Sequence, residues 1–391
     1  MQATFVKRRL AAAVESSALA VAIAASLAAC SPKSDDVVVK IGHVAPISGP
    51  QAHQGKDNEN AAKMAIEDLN AAGVKLGGKK VKFELVAEDD AADPKQGAAA
   101  AQKLVDAKVN GVIGHLNSGT TIPASTIYKD AGIPQISPSA TNPKYTLQGY
   151  KTAFRVVAND GQLGSVLGKY AVDELKAKKV AIIDDKTAYG EGVAAEFKKS
   201  VVAHGAQIVA TEHTTDRSTD FQSILTTVKG ANPDIVFYGG MDSQAGPMLR
   251  QMKQLGIKAK FVGGDGICST GLVKLAGESL ADDEVVCAEA GGVEEGKKKR
   301  VDDFRARYKD KYKLDVELYA PYVYDAVMVM AEAMKKADSA DPAKYLPALA
   351  AIDYDGVTGR IVFDPHGDIK DGALTLYTYR HGAREQIAVV K

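Results

Sequence analysis

From residue 37 onward, short apolar runs rich in β-branched residues alternate with longer amphipathic segments rich in alanine and lysine. The apolar runs predict strands at 37–44, 81–87, 111–114, 180–184, 207–211, 235–238, 260–262 and 284–287. The amphipathic segments predict helices at 58–72, 94–107, 120–131, 162–177, 192–204, 221–229, 245–255, 300–312 and 322–337. Strands that alternate with helices of this length favour parallel sheets with helices on both faces.

The strand segments themselves indicate burial on both faces of a sheet. VAII at 180–183, for example, is a continuous apolar run rather than an alternating one. After the last predicted helix, shorter β-like pieces follow at 359–363, 374–379 and 386–390. Because the chain has 391 residues and no Ser/Gly-rich linker, we expect two α/β lobes joined by ordinary short crossings.

The N-terminus differs in kind from the rest of the chain. A cationic KRR at 7–9 precedes an apolar run at about 18–29. This run is shorter than the about 20 residues that a membrane-spanning helix needs, and it has the layout of a secretory signal peptide over 1–29. It ends in Leu-Ala-Ala before Cys30, which is similar to a bacterial lipoprotein signal, so we predict lipidation of Cys30 and a tether over 30–36. The alternative is an ordinary cleavage site with an incidental cysteine.

Net charge and cysteine content narrow the function classes. Lysine plus arginine and aspartate plus glutamate both number 49, so no basic surplus exists for binding nucleic acid. The chain has three cysteines, Cys30, Cys268 and Cys287. In an exported protein the last two are expected to form a disulfide, which contributes roughly 3 kcal/mol. Two free buried thiols are the alternative.

Catalytic motifs are missing from the sequence. There is no G-x-S-x-G nucleophile elbow, and the seven histidines lack metal-ligand spacing. GVKLGGKK at 73–80 comes close to a phosphate loop, but it has lysine in place of the metal-binding hydroxyl and follows a helix instead of a strand. The KKKR run at 297–300 is typical of a solvated helix start, and Asp89 and Asp90 are typical of a turn. We therefore expect no enzyme, no metal site and no cofactor.

Polar residues gather instead where predicted strands end, which is where open α/β sheets bind ligands. VIGHLNSGTT at 112–121 runs from a strand into a helix start whose N–H groups and hydroxyls suit a carboxylate. ISPSAT at 136–141 adds hydroxyls, and FVGGDGI at 261–267 places Asp265 in a glycine-rich turn that suits a cation. Taken singly, each signal is more typical of an N-cap or a turn. Together they complement a zwitterion.

Eight short blocks of the sequence resemble a known family. They are SGP at 48–50, ADPKQ at 92–96, VIGHL at 112–116, ISPSATNP at 136–143, DKTAYGEG at 185–192, FYGG at 237–240, MLRQ at 248–251 and FDPHGDIKDG at 363–372. In this order they resemble the periplasmic leucine/isoleucine/valine-binding proteins of branched-chain amino-acid ABC transporters. The resemblance implies two Rossmann-like lobes with parallel-rich sheets, a hinge crossed three times and a ligand cleft between the lobes. It implies residues 37–157 plus 289–364 for lobe one and 158–288 plus 365–391 for lobe two.

The resemblance also implies how the ligand's head group is bound. The residues concerned are Ser118, Ser139, Ala140, Thr141, Tyr189 and Asp265. Ser118 and the Thr141 segment would hold the α-carboxylate. Asp265, the Ser139 carbonyl and the Thr141 hydroxyl would hold the ammonium, and Tyr189 would close over the ligand. The family often has glutamate at the position of Asp265, which keeps the charge but is one methylene shorter.

The implied side-chain pocket departs from the branched-chain pattern. Gln54 stands where an aromatic residue usually covers the ligand, and Met241 replaces a tyrosine. Tyr319 occupies another aromatic position, and Leu116 keeps an apolar wall. Asn117, which also borders the implied pocket, stands where enteric members carry one cysteine of a disulfide. These changes leave the identity of the ligand open.

The function implied by the resemblance is that of a non-catalytic receptor in the periplasm or cell envelope. It would bind an amino acid, with Leu, Ile or Val as the first expectation, and deliver it to the membrane permease of an ABC transporter. A monomer is expected, attached to the membrane only through a lipid on Cys30. The alternative is a sensor of the same fold for another small amino acid or amide, coupled to a signalling partner.

Overall fold

The computed structural model describes residues 36–292 and 298–390. The strands are β1 (Val37–Ala45), β2 (Lys75–Leu76), β3 (Lys79–Asp89), β4 (Gly111–Gly114), β5 (Gln135–Ser137), β6 (Ala153–Arg155), β7 (Lys179–Asp184), β8 (Gln207–His213), β9 (Ile235–Gly239), β10 (Lys260–Gly263), β11 (Val285–Glu289), β12 (Asp353–Asp355), β13 (Arg360–Val362), β14 (Leu374–Arg380) and β15 (Ala383–Val390). The predicted VAII run lies in β7 and is buried throughout, as expected for a strand covered on both faces.

Two sheets organise these strands. The six-stranded sheet has the order β2-β3-β1-β4-β5-β6, and all its neighbours are parallel except β2 and β3. The seven-stranded sheet has the order β15-β14-β11-β10-β9-β7-β8, with β14 antiparallel to both of its neighbours and the remaining pairs parallel. β12 and β13 form a separate antiparallel pair. The prediction of parallel-rich α/β sheets is confirmed.

The helices cover these sheets. They are α1 (Ala52–Ala72), α2 (Pro94–Asp106), α3 (Ser118–Asp130), α4 (Lys144–Leu147), α5 (Asp160–Asp173), α6 (Ala188–Ala203), α7 (Gln222–Ala231), α8 (Asp242–Leu255), α9 (Gly271–Ala276), α10 (Lys298–Tyr312), α11 (Ala320–Lys336) and α12 (Pro342–Ala350). Side-chain caps explain several starts. The Asp93 carboxylate accepts from two N–H groups of the first turn of α2, and Asn159 forms a capping box with Gln162 at α5.

The chain passes between the two sheets three times, after β6, after β11 and after β13. Because α11 packs on α1, β4 and β5, the segment that follows β11 returns to the six-stranded sheet. We call the six-stranded sheet with its helices lobe one and the seven-stranded sheet with its helices lobe two. The crossings explain why no linker marks the boundary in the sequence. The residue limits of the lobes given above stay a prediction.

The observed elements differ from the predicted ones in two ways. Helix α1 begins at Ala52 instead of residue 58. The prediction missed its first turns because Gln54 and Asp57 are polar and yet buried. The short elements β6, α9 and α12 were not predicted. Three to nine residues give too little periodicity to be distinguished from a loop, and Pro347 interrupts the pattern of α12.

Within residues 36–292 and 298–390, no helix is long and apolar enough to cross a membrane. The predicted signal peptide, the lipidation site Cys30 and the first lysine of the KKKR run lie outside the described residues. The rest of that run, Lys298 to Arg300, is exposed and opens α10, as a solvated helix start would.

Candidate functional site

The first part of the site lies where β4 leads into α3. Asn117 is the N-cap residue of α3, but its side chain does not cap the helix and instead donates from Nδ2 to Gln51 Oε1 at 2.8 Å. Ser118 is buried at the same helix start, where its Oγ accepts from the Asn142 N–H at 3.2 Å. The Asn117 side chain therefore leaves the first N–H groups of α3 uncapped. These N–H groups lie at the positive end of the helix dipole. This helix start can hold an anion.

The second part is the segment after β5, which lies beside the start of α3. Ser137 Oγ donates to the His115 carbonyl at 3.0 Å, and Ser139 Oγ donates to the Leu116 carbonyl at 2.9 Å. Ser137 Oγ also accepts from the Ala140 N–H at 2.9 Å. These bonds tie the β5 end to the loop between β4 and α3, so the predicted Ser139 and Ala140 lie next to the start of α3.

Arg155 holds the rest of that segment in place. Its Nη1 donates to the carbonyls of Ala140 and Asn142 at 3.0 Å each, and its Nη2 pairs with Asp368 at 2.5 Å. Because Asp368 already engages this buried guanidinium, Arg155 serves to position the backbone. Thr141 lies between the two carbonyls, and its Oγ1 is buried beside the carboxyl group of Asp160, with no other hydrogen-bond partner among the described residues. That hydroxyl is available to a ligand.

The third part is Asp265, in a short turn after β10. Its Oδ1 accepts from Tyr189 OH and its Oδ2 from Tyr319 OH, both at 2.8 Å. Tyr189 belongs to lobe two, while Tyr319 precedes α11 in lobe one, so both lobes reach this carboxylate. Burial raises the pKa of Asp265 to about 6, against the lowering effect of the two tyrosine hydrogen bonds. A cation beside it would stabilise the charged form.

A second buried carboxylate, Asp160, is a residue that the sequence analysis missed. It is the first residue of α5, and its N–H donates to the Thr141 carbonyl at 2.9 Å. Its carboxyl group lies beside the Thr141 hydroxyl, which acts to lower its pKa, and has no other hydrogen-bond partner within the described ranges. Burial, together with the negative charge of Asp265, raises the pKa of Asp160 well above its ordinary value. The Asn159-Asp160 pair at the start of α5 was the available signal, but it is typical of an ordinary helix cap.

A cavity of about 430 Å³ lies between the lobes next to these groups. Gln51 and Asn117 line it from lobe one, and Asp185, Tyr189 and Met241 line it from lobe two. Three residues predicted for the site, Asn117, Tyr189 and Met241, therefore share one chamber. A second cavity, of about 460 Å³, lies at the crossing segments and contains none of the predicted residues.

The remaining predicted residues do not line this cavity. Leu116 is buried directly before Asn117. Gln54 is buried one helical turn after Gln51, and neither its Nε2 nor its Oε1 has a partner in the described part of the chain. Tyr319 was predicted as an aromatic wall position, and the structure directs its hydroxyl to Asp265.

Several further contacts join the lobes near the cavity, among them an ion pair of Arg217 in lobe two with Asp93 in lobe one at 3.5 Å. His53 Nε2 in lobe one lies 2.8 Å from Asp242 Oδ2 in lobe two. Glu317 Oε2 in lobe one accepts from Thr270 Oγ1 at 2.8 Å and from the Gly271 N–H at 2.9 Å. The lobes are therefore in a closed arrangement.

Cys268 and Cys287 are joined by a disulfide in the structure, with 5.4 Å between their Cα atoms. The bond connects the turn that carries Asp265 to β11. Within residues 36–292 and 298–390, no group of three or more His, Cys, Asp or Glu side chains is arranged to hold a metal ion.

Comparison with known proteins identifies the architecture. A family model described as periplasmic binding protein matches residues 38–383. The chain belongs to the periplasmic binding protein family. The predicted family resemblance and the predicted fold class are confirmed.

Curated relatives place this periplasmic binding protein near the branched-chain receptors. It is 38% identical over 364 residues to "Leu/Ile/Val-binding protein homolog 1" of Brucella abortus, covering 93% of this chain and 95% of the relative. It is 36% identical over 345 residues to the leucine-, isoleucine-, valine-, threonine- and alanine-binding protein of Pseudomonas aeruginosa, covering 88% and 91%.

Solved structures of related binding proteins agree with the fold. The branched-chain amino-acid transporter substrate-binding protein of Streptococcus pneumoniae, in complex with isoleucine, has a TM-score of 0.80 at 30% identity, covering 90% of this chain and 99% of that one. A solute-binding protein from R. palustris in complex with benzoate also has a TM-score of 0.80, at 22% identity, covering 90% and 96%. The fold alone therefore does not determine the ligand.

Proposed function

We propose that this protein is the extracytoplasmic solute-binding receptor of an ABC importer, and that it binds a free amino acid between its lobes without chemical turnover. The observation that carries the proposal is the convergence of an uncapped helix start, the Thr141 hydroxyl and two buried carboxylates on one place. The names of the relatives support the same class of ligand.

The two poles of the ligand would be bound by different parts of the site. The α-carboxylate is held by the Ser118 hydroxyl, the first N–H groups of α3 and the segment that contains Ser139 and Ala140. The ammonium is held by Asp265 and Thr141, with Asp160 as a second negative group. Charge-assisted hydrogen bonds of this kind are strong in a buried site. Because Asp265 comes from lobe two and Ser118 from lobe one, one ligand draws both lobes together.

Leu, Ile and Val are the first candidates for the ligand. The name of the Brucella abortus relative points to them, and Met241 supplies apolar surface in the cavity wall. Methionine adapts to apolar groups of different shape. Gln54 is the residue that departs from this apolar character.

The remaining proposals concern the whole protein. Residues 1–29 are removed on export, Cys30 carries a lipid, and residues 30–36 tether the binding domain to the membrane. The protein acts as a monomer, with lobe limits of 37–157 plus 289–364 and 158–288 plus 365–391. The closed, ligand-bound lobes form the surface that the permease recognises.

Replacing Asp265 tests the proposed head-group site. Asp265→Asn keeps the size of the side chain but removes its charge, so the bound ammonium loses its closest counter-charge. We expect calorimetry to show a loss of more than about 2 kcal/mol, or about 30-fold in affinity for the tightest amino acid.

Glu278→Gln is the matched control, because Glu278 is an exposed carboxylate in the same lobe. It should bind the ligand as the native protein does. If Asp265→Asn folds normally and keeps the native affinity, Asp265 does not hold the ammonium.

A further inference from the structure

Three carboxamide side chains form a stripe along one face of α1 and its N-cap. This carboxamide stripe consists of Gln51, Gln54 and Asn58, which are 5%, 1% and 1% exposed. Their spacing of three and then four residues places them above one another on the helix surface. Gln51 accepts from Asn117 Nδ2, but the four polar atoms of Gln54 and Asn58 have no hydrogen-bond partner among the described residues.

Gln54 lies between two groups that border the site. One turn before it, Gln51 lines the cavity and contacts Asn117. Three residues after it, Asp57 accepts from the two N–H groups on either side of Tyr319, whose hydroxyl reaches Asp265. Gln54 therefore lies between Gln51 in the cavity wall and Asp57, which holds the segment of Tyr319 that reaches Asp265.

The opposite lobe closes over this part of α1. His53, the residue before Gln54, contacts Asp242, and the residue before Asp242 is Met241 in the cavity wall. Gln54 thus lies next to a contact between the lobes and on the same face of α1 as Gln51, which lines the cavity. Gln51 and Met241 both line the cavity, so an amide and an apolar side chain share its wall.

A buried amide with neither donor nor acceptor satisfied is costly, by about 1–3 kcal/mol for each unpaired group. A ligand side chain with a hydroxyl or a carboxamide can pair with Gln54, whereas a methyl group of the same size leaves the amide unpaired. Sites that pair a polar ligand group in this way discriminate strongly against the apolar isostere, because their own polar atoms then lose their partners.

We propose that Gln54 determines specificity and that the site prefers neutral amino acids whose side chain carries a hydrogen-bonding group over their apolar isosteres. This inference rests on the proposed amino-acid function and refines its ligand class. Threonine should bind more tightly than valine, which has the same shape but a methyl in place of the hydroxyl. Branched-chain amino acids remain ligands but are not the preferred ones.

Calorimetry with isosteric pairs tests the inference. The native protein should bind threonine at least about tenfold more tightly than valine. The pair asparagine and leucine reports separately on a carboxamide. Gln54→Met keeps the length of the side chain and removes its amide, so the threonine-to-valine ratio should fall by about tenfold. Because this change also removes an unpaired buried amide, the variant should unfold at the same or a higher temperature without ligand.

Gln102→Met is the matched control, since Gln102 is exposed on α2 of the same lobe. It should leave the ratio of affinities unchanged. Gln54→Leu serves as a second variant should the methionine fail to fold. Valine binding as tightly as threonine in the native protein, or an unchanged ratio in both Gln54 variants, overturns the inference while leaving the amino-acid site intact. Binding of no amino acid at all refutes the proposed function instead.

Discussion

At the scale of single residues, the protonation of His53 is coupled to the closed arrangement of the lobes. Burial of His53 opposes protonation, but the hydrogen bond and negative charge of Asp242, with a further contribution from Glu317, raise the pKa above its ordinary value of 6.5. Of these two carboxylates, only Asp242 approaches His53 through closure, because Asp242 lies in lobe two, whereas Glu317 belongs to the same lobe as His53.

This arrangement predicts that amino-acid affinity depends on pH. In the open molecule His53 loses Asp242 and its pKa returns toward 6.5, so closure takes up protons. The favourable contribution of His53 to closure is complete below about pH 6.5 and is lost as pH rises through the raised pKa.

Calorimetry between about pH 6.5 and 8.5 should show affinity for the amino acid declining by up to about 1 kcal/mol, the scale of a partly exposed pair. His53→Gln should flatten the decline. A parallel decline in both proteins would assign it to another group.

At the scale of elements, the turn that carries Asp265 is held by the C-terminal hairpin and by a covalent bond. Tyr379 OH on β14 donates to the carbonyl of Ser269 at 2.8 Å and to that of Ile267 at 3.2 Å. The disulfide joins Cys268 to β11. A carboxylate on a well-held turn needs little ordering when the ligand arrives, which favours affinity.

We predict that the double variant Cys268→Ser/Cys287→Ser is less stable and binds less tightly. Loss of a cross-link over a loop of this length lowers the free energy of unfolding by about 3 kcal/mol. The looser turn should increase the dissociation rate of the amino acid more than it lowers the association rate. Denaturant unfolding and stopped-flow binding measure the two effects. Two thiols that react with a labelling reagent in the native, unreduced protein would show that the cysteines are not paired.

Long or fully buried elements could be predicted from the sequence more closely than short or partly polar ones. Strands such as β4 and β7 were predicted to within one residue because a continuous apolar run has one physical explanation, a strand buried on both faces. The first turns of α1 were missed because the amphipathic pattern assigns His53, Gln54 and Asp57 to solvent. His53 contacts lobe two and Asp57 accepts from the loop before α11, while the amide of Gln54 is buried without a partner among the described residues.

At the scale of the whole molecule, closure brings together residues that are distant in sequence. His53 and Asp242 are separated by 189 residues, and Tyr319 and Asp265 by 54. Strand-end hydroxyls and a glycine-flanked aspartate could be recognised without a structure, because each lies at the end of a parallel strand. Arg155 and Asp160 could not, since their roles depend on Asp368 and Thr141, which the fold places beside them.

Isothermal titration calorimetry with the free L-amino acids tests most directly whether a zwitterion is held between the two lobes. At least one neutral amino acid should bind at about micromolar affinity, or about 8 kcal/mol. Its α-hydroxy acid, which lacks the ammonium, and its decarboxylated amine should each bind at least about 30-fold more weakly, because each leaves one set of buried polar groups unpaired. Failure of every amino acid to bind, or equal binding of an analogue that lacks one pole, would contradict the zwitterion site.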